Sequence, residues 1–191
     1  MAHVSIIGTG TMGQAIAAAV SRGGNTVELL GRADVGTPVT GEVVVLAVPY
    51  GAVADLVAQR GAELAGKIVV DITNPVDVET FDSLVVPADG SAAAEIATAL
   101  PGSRVVKAFN TTFAATLSSG TVGALPTTVL IAGDDADAKS LLAGIVTAGG
   151  LRAIDAGSLG RAREMEALGF LQISLAAAEE IAWTGGFAVA A

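Results

Sequence analysis

VSIIGTGTMGQAI, residues 4–16, decides how this chain is read. A short apolar run, Val4 to Ile7, opens into glycines at 8, 10 and 13 and then into a helix-like pattern. Gly8 permits a tight turn out of a strand, Gly10 lets a ligand approach the backbone, and Gly13 lets a helix pack closely on a sheet. The first turn of that helix has free N–H groups and a partial positive charge, which suit a pyrophosphate. The glycine spacing alone is weak. Its context is stronger, because it ends the first strand and opens a helix in a unit of about thirty residues, as a dinucleotide-binding turn does. The competing reading is a glycine-rich turn with only a packing role.

Working outward, apolar runs at 3–7, 26–30, 43–48, 67–72, 104–109, 127–132 and 151–155 read as strands. Helical patterns fall at 11–23, 51–64, 91–99, 111–118, 135–148 and 161–183. VVVLAV (43–48) and KIVVDI (67–72) are almost wholly apolar rather than alternating, as in strands buried on both faces of a parallel sheet. The fold class is therefore α/β, a Rossmann-like parallel sheet with right-handed crossovers. One connection is missing. GRADVGTPVTGE (31–42) is too short, and too rich in Gly, Pro and Thr, for the helix and strand that normally follow the second strand. The first half is thus shortened. Residues 1–156 read as a dinucleotide-binding domain and 157–191 as a small C-terminal helical segment packed on it.

Bulk properties close off other classes. The chain has 191 residues, no cysteine and one histidine, His3. Disulfides, thiolate metal sites, a Cys nucleophile and Ser-His-Asp arrangements are all excluded or short of residues, and no metal site is expected. A net charge of −9 without a basic cluster argues against nucleic acid. No apolar run approaches the ~20 residues of a membrane span. No basic segment precedes the first apolar run, so a signal peptide is not expected and a cytoplasmic location is.

The end of the second strand selects the dinucleotide. NAD sites place Asp or Glu there for the ribose 2′-hydroxyl. TVELL instead ends in Gly31-Arg32, and Glu28 lies two residues too early. Arginine suits a 2′-phosphate, with Thr9 adding a hydroxyl, so NADP(H) is expected. A solvated loop arginine is the bland alternative.

Ligands sit at the carboxyl ends of strands on open α/β sheets. AVPYG (47–51), DITNP (71–75) and KAFNTT (107–112) mark three such ends. Val48 and Pro49 suit the nicotinamide half, and Tyr50 reads as a rim residue. Asn74-Pro75 serves as a turn or as pocket wall. Asn110 serves as a helix cap or as pocket wall. Lys107 is the lysine nearest the site, with an ion-pair role as its alternative. Arg161, Glu164 and Glu166 read as a solvated helix turn, with contact between the arginines and an acidic acceptor as the alternative, and Trp183 as a core or dimer contact rather than a stacking platform. No catalytic side chain is assigned. Hydride transfer to a ring acceptor depends mainly on positioning, whereas carbonyl reduction generally wants a proton donor.

GTGTMG, AVPY, DITNP, KAFNT and DAGSLGRAREME, in this order, resemble the NADP oxidoreductase family related to coenzyme F-420-dependent NADP reductase, and in particular its compact bacterial dinucleotide-binding members. KAFN also resembles the cytosolic reductase domain of the six-transmembrane metalloreductases. The resemblance implies a Rossmann-like domain, NADP(H) and often a homodimer. It places Gly8, Thr9, Gly10, Thr11, Met12, Gly13, Arg32, Val48 and Pro49 at the cofactor, and Asn74, Pro75 and Asn110 near a second-ring pocket. The implied activity is hydride transfer between NADP(H) and F-420 or a flavin, a small-molecule redox acceptor. A non-catalytic NADPH sensor and a reductase of a small carbonyl or imine are the alternatives. The broad apolar face of FLQISLAAAEEIAW (170–183) suits a dimer contact.

Overall fold

The computed structural model of the chain describes residues 1–190. Its strands are β1 (His3–Ile7), β2 (Thr26–Leu30), β3 (Val43–Leu46), β4 (Ile68–Asp71), β5 (Arg104–Ala108), β6 (Thr121–Val122), β7 (Leu125–Pro126), β8 (Thr128–Gly133) and β9 (Arg152–Gly157). Its helices are α1 (Thr11–Arg22), α2 (Val53–Leu64), α3 (Ala92–Ala99), α4 (Ala114–Ser119), α5 (Ala136–Ala148) and α6 (Ala162–Ala177). Seven strands form one sheet in the order β2-β1-β3-β4-β5-β8-β9, and β6 and β7 pair as a separate hairpin.

Alternate residues of each strand feed two cores, because successive side chains point to opposite faces. Val4, Ile6, Val43, Val45 and Val70 pack under α1 and α5. Val44, Leu46, Val69 and Val105 pack under α2 and α3. Every residue of β3 and β4 is buried, as their unbroken apolar runs require.

The sheet departs from the expected parallel arrangement at one place. β5 and β8 are antiparallel, while the other neighbours are parallel. A parallel crossover needs a dozen or more residues, usually with a helix to span the sheet. Here α4 has only six residues, ends at Gly120 in the left-handed region (φ +77°), and passes into the β6–β7 hairpin. The chain reverses there and re-enters the sheet at the end it left, so β8 runs opposite to β5.

The predicted helix over 161–183 stops at Ala177. Glu179 adopts φ +62°, its N–H donates to Ala176 O at 3.2 Å, and the Glu180 N–H donates to Leu175 O at 2.9 Å. These two bonds form a Schellman motif. Glycine normally signals that motif, so a glutamate gave no warning of it.

The short connection between β2 and β3 is as expected, and polar contacts hold it in place of the missing helix and strand. Asp34 Oδ2 accepts from the Gly31 N–H at 2.8 Å. Arg60 of α2, only 6% exposed, donates to Thr37 O at 2.8 Å and also to Asp34 O. Glu63 Oε2 accepts from the Val39 N–H at 2.9 Å. On the other side, Glu28 Oε2 accepts from the Ser5 hydroxyl at 2.6 Å and from the Thr40 hydroxyl and N–H at 3.2 and 3.3 Å. Burial acts to raise the Glu28 pKa, but these donors outweigh it and hold the carboxyl below its ordinary value of 4.5. Glu28 therefore contributes stability above about pH 4.5, which is lost as the pH falls through the depressed folded-state value. Urea unfolding of wild type and Glu28→Gln checks this. Wild type is expected to be the more stable at neutral pH, with the gap closing on acidification; a gap independent of pH would refute the assignment.

Candidate functional site

β1 lies between β2 and β3, so strand order reverses there. Such a reversal opens a crevice at the carboxyl ends of the strands. Read across the sheet from β2 to β5, those ends present Arg32, the 8–13 glycine loop, Val48 with Pro49, Asn74, and Asn110. Four strand spacings separate β2 from β5, a line of about 19 Å.

At the glycine loop, Gly8 sits at φ +124°, and a Cβ there would lie 2.0 Å from Ala47 O. A Cβ on Gly13 would lie 2.0 Å from Gly8 O. Both positions demand glycine on backbone grounds alone. Gly10 differs: its φ is −71°, and a Cβ there would meet nothing within 4 Å. Gly10 also caps α1 without a side-chain hydrogen bond, and the first turn carries no acidic residue. The space over Gly10 and the uncapped N–H groups fit an incoming anion. Thr9 borders Gly31, with its Cγ2 3.3 Å from where a Gly31 Cβ would stand. Thr9 thus lies beside the residue that precedes Arg32. Arg32 is exposed and has no hydrogen-bond or ion-pair partner among the described residues. The two nearby carboxylates are engaged elsewhere, Asp34 with Gly31 and Glu28 with Ser5 and Thr40. These residues fit an NADP(H) molecule.

At the other end of the line is a cavity of about 390 Å³. Thr11 and Met12 from the start of α1, Ile72 and Asn74 after β4, and Asn110, Thr112 and Phe113 after β5 line it, with Ile173 and Trp183 closing the outer side. The two asparagines bind each other. Asn74 Nδ2 donates to Asn110 O, and Asn110 Nδ2 donates to Asn74 Oδ1 and to Met165 O, each at 2.9 Å. Asn110 Oδ1 is left buried without a partner among the described residues. An orphaned buried acceptor costs about 1–3 kcal/mol and is found where other demands prevail. Phe109 supplies a second sign of strain, at φ +61°. That region is unfavourable for a bulky residue, and it turns the chain so that Asn110 meets Asn74.

Pro75 does not belong with the pair. It is buried, lies outside the cavity lining, and its carbonyl accepts from the Val85 N–H at 2.8 Å. Val48 is half-buried and Pro49 exposed at the end of β3, outside this cavity. Tyr50 donates to Glu95 across a separate groove between α2 and α3. Burial, the Glu95 hydrogen bond and nearby carboxylates push its pKa up to about 12, so the hydroxyl stays protonated. A larger depression of about 600 Å³, beside Met1, Asn25 and α5, lies at the amino ends of the strands, away from all of these groups.

The sequence reading missed two contributors. Glu166, expected on a solvated turn, is fully buried. It accepts from Lys107 Nζ at 2.8 Å and from the Ala92 and Ala93 N–H groups at 2.9 and 3.2 Å. Lys107 also donates to Asp71 Oδ2 at 2.7 Å and Thr73 O at 2.6 Å. Burial pushes the Glu166 carboxyl up, while Lys107 and the two amides pull against it. The second is Gly169 of α6. A Cβ there would lie 2.3 Å from Asn74 Oδ1, so only glycine lets α6 rest on the asparagine pair. A glycine inside a helical pattern was the available signal.

Comparison with known proteins agrees with this geometry. A family model described as NADP oxidoreductase, coenzyme F420-dependent, matches residues 34–75. The F420-dependent NADP reductase of Methanocaldococcus jannaschii is 35% identical over 139 residues, covering 71% of this chain and 62% of that protein. The chain is related to the F420-dependent NADP oxidoreductases. Metalloreductase STEAP3 of Rattus norvegicus is 39% identical over 106 residues, 56% of this chain and 20% of that protein. The match with the archaeal reductase thus spans about three-fifths of its length, and that with the metalloreductase one fifth. A solved structure of a candidate F420-dependent NADP-reductase from Arthrobacter sp. FB24 matches with a TM-score of 0.84 at 27% identity, covering 98% of this chain and 99% of that one. This oxidoreductase relative thus shares a Rossmann-like architecture over nearly its whole length.

The glycines yield a sharp contrast. Gly13→Ala is expected to lower unfolding stability by about 3 kcal/mol, since backbone must move. Gly10→Ala is expected to change stability by less than about 0.5 kcal/mol. It should nevertheless weaken NADPH binding by about tenfold, or ~1.4 kcal/mol. Calorimetric titration beside a denaturation curve reads both, and unchanged NADPH affinity in Gly10→Ala would remove the loop from the binding site.

Proposed function

We propose that this chain is an NADP(H)-dependent oxidoreductase that moves a hydride between the nicotinamide and a flavin or deazaflavin ring such as F420. The observation that carries the reading is the ordered line at the carboxyl edge. It runs from an unpartnered arginine, past an anion-ready glycine loop, to an apolar cavity holding two asparagines. When bound, NADPH supplies two electrons and one hydrogen nucleus as hydride, which the acceptor ring takes up. The protein's part is to position and to exclude water. The α1 N-terminus and glycine loop hold the pyrophosphate, and Thr9 and Arg32 hold the 2′-phosphate. Val48 and Pro49 back the nicotinamide. Asn74 and Asn110 present polar edges inside otherwise apolar walls.

The cavity lining favours a ring acceptor over a carbonyl or imine. None of its residues is titratable. Lys107 is spent inside a buried ion cluster, and Tyr50 is tied to Glu95 in another groove. Reduction of a carbonyl lacks a proton donor here, whereas a flavin or deazaflavin ring accepts hydride without one in the same step. The relatives named as F420-dependent NADP reductases support the same reading.

We also propose a homodimer in which a second copy covers the outward face of α6, where Leu171 is 49% exposed. A monomeric mass by light scattering at assay concentration would rule this out.

The central test follows NADPH and NADH oxidation without oxygen, with F420, FMN and FAD as acceptors. Turnover is expected with NADPH and at least one ring acceptor. Arg32→Ala should cost about 1.5–3 kcal/mol in NADPH binding, the range for hydrogen bonds to charged groups, and leave NADH nearly unchanged. Equal losses for both dinucleotides would sink the 2′-phosphate assignment. Tight NADPH binding without turnover on any acceptor would make the protein a sensor.

A further inference from the structure

The chain's single tryptophan, Trp183, lies six residues beyond the end of α6, on a segment with no regular secondary structure. That segment is nevertheless anchored on both sides of it. Before Trp183, the Schellman motif turns the chain back onto the last turn of α6. After it, the Phe187 N–H donates to Gln172 Oε1 at 2.9 Å, and Arg152 Nη1 donates to Val189 O at 3.2 Å. Gln172 is 2% exposed, and its Nε2 reaches Thr111 O at 3.4 Å, in the loop that carries Asn110. One buried amide thus ties the C-terminal segment to the cavity loop.

The result is an aromatic wall. The Trp183 ring lies 4.9 Å from that of Phe113, tilted by 51°, and both line the cavity that also contains Asn74, Asn110 and Met12. Trp183 remains 52% exposed, so much of the indole is uncovered. A large aromatic with a free face beside a cavity lacking titratable groups is suited to a flat ring with its own π surface. A small carbonyl compound would leave that surface wet.

We propose that Trp183, supported by Phe113, is the specificity-determining residue that seats a planar tricyclic heteroaromatic acceptor. This rests on the reading of the cavity as the acceptor's. Trp183 acts through stacking contact and takes no proton, and it is separate from the residues that hold the dinucleotide. Flavins and deazaflavins share the required ring, and the experiment treats them as separate arms.

The experiment titrates FMN, and in parallel F420, into protein saturated with NADP+, reading the anisotropy of the acceptor's own fluorescence, so that no turnover is needed. NADP+ affinity is measured by calorimetry alongside. Trp183→Ala is expected to raise the Kd of at least one ring about tenfold, and Trp183→Phe by less than about threefold. NADP+ affinity should stay within about twofold of wild type in both, by the same scale. Trp183→Leu keeps apolar bulk without a π face; it is expected to behave like Trp183→Ala and guards against misfolding of the smaller variant. Wild-type ring affinity in the Ala and Leu variants would overturn the proposal while leaving the cavity reading intact. Equal losses of ring and NADP+ affinity would also overturn it, as would full affinity in the Leu variant alone. Failure of the wild-type protein to bind either ring would overturn the proposal and the cavity reading together.

Discussion

Lys107 is a lysine side chain with no exposure to water, and the surrounding fold has to answer for it. Asp71, its register partner on β4, supplies one carboxylate, Glu166 from α6 supplies another, and Thr73 supplies a carbonyl. Removing one member of such a cluster costs about 3–5 kcal/mol, although replacing the whole set with apolar residues is often neutral. Its value here therefore lies in geometry. Glu166 must reach Lys107 and the N-terminal amides of α3 at once, which fixes where α6 lies. Once α6 is fixed, Met165 O meets Asn110 and Gly169 rests on Asn74. The asparagine pair, the strained Phe109 and the cavity are arranged around the placement of these three buried side chains.

The two halves of the candidate site are built on different physical principles. At the glycine-loop end the donors are backbone N–H groups, threonine and arginine, and the space over Gly10 is open. At the cavity end the polar groups are neutral amides that bind each other but leave Asn110 Oδ1 without a partner among the described residues, and the walls are apolar. The open, donor-lined end suits a charged ligand group and the apolar end an uncharged one. The acidic character of the whole chain has little bearing on this, because local charge decides inside a crevice.

The sequence disclosed those parts of the fold that arise from short-range pattern. The glycine loop, the fully apolar β3 and β4, and the missing unit after β2 each leave a mark within a dozen residues. The antiparallel β8 left none, because its direction follows from a two-residue hairpin and a short α4 rather than from its own composition. Helix α6 ended early at a glutamate in a backbone conformation that glycine usually announces. Within the site, Asn74 and Asn110 were visible as strand-end residues, but their pairing was not. Pro75, next to Asn74 in sequence, is buried outside the cavity lining. Glu166 looked like one more charge on a helix rich in charges. Only its partner 59 positions earlier reveals a buried role, and such distances leave no periodic trace.

The shortened first half has a consequence at the border of the sheet. With the following strand absent, β2 is the border strand and pairs among the described residues with β1 alone. An exposed strand edge of this kind is a template for another molecule's strand. The chain keeps β2 to five residues and places a carboxylate at its centre, Glu28, which also anchors the loop that substitutes for the lost unit. The border of the sheet and the loop that replaces the lost unit are thus held by the same carboxylate, and acid weakens that hold.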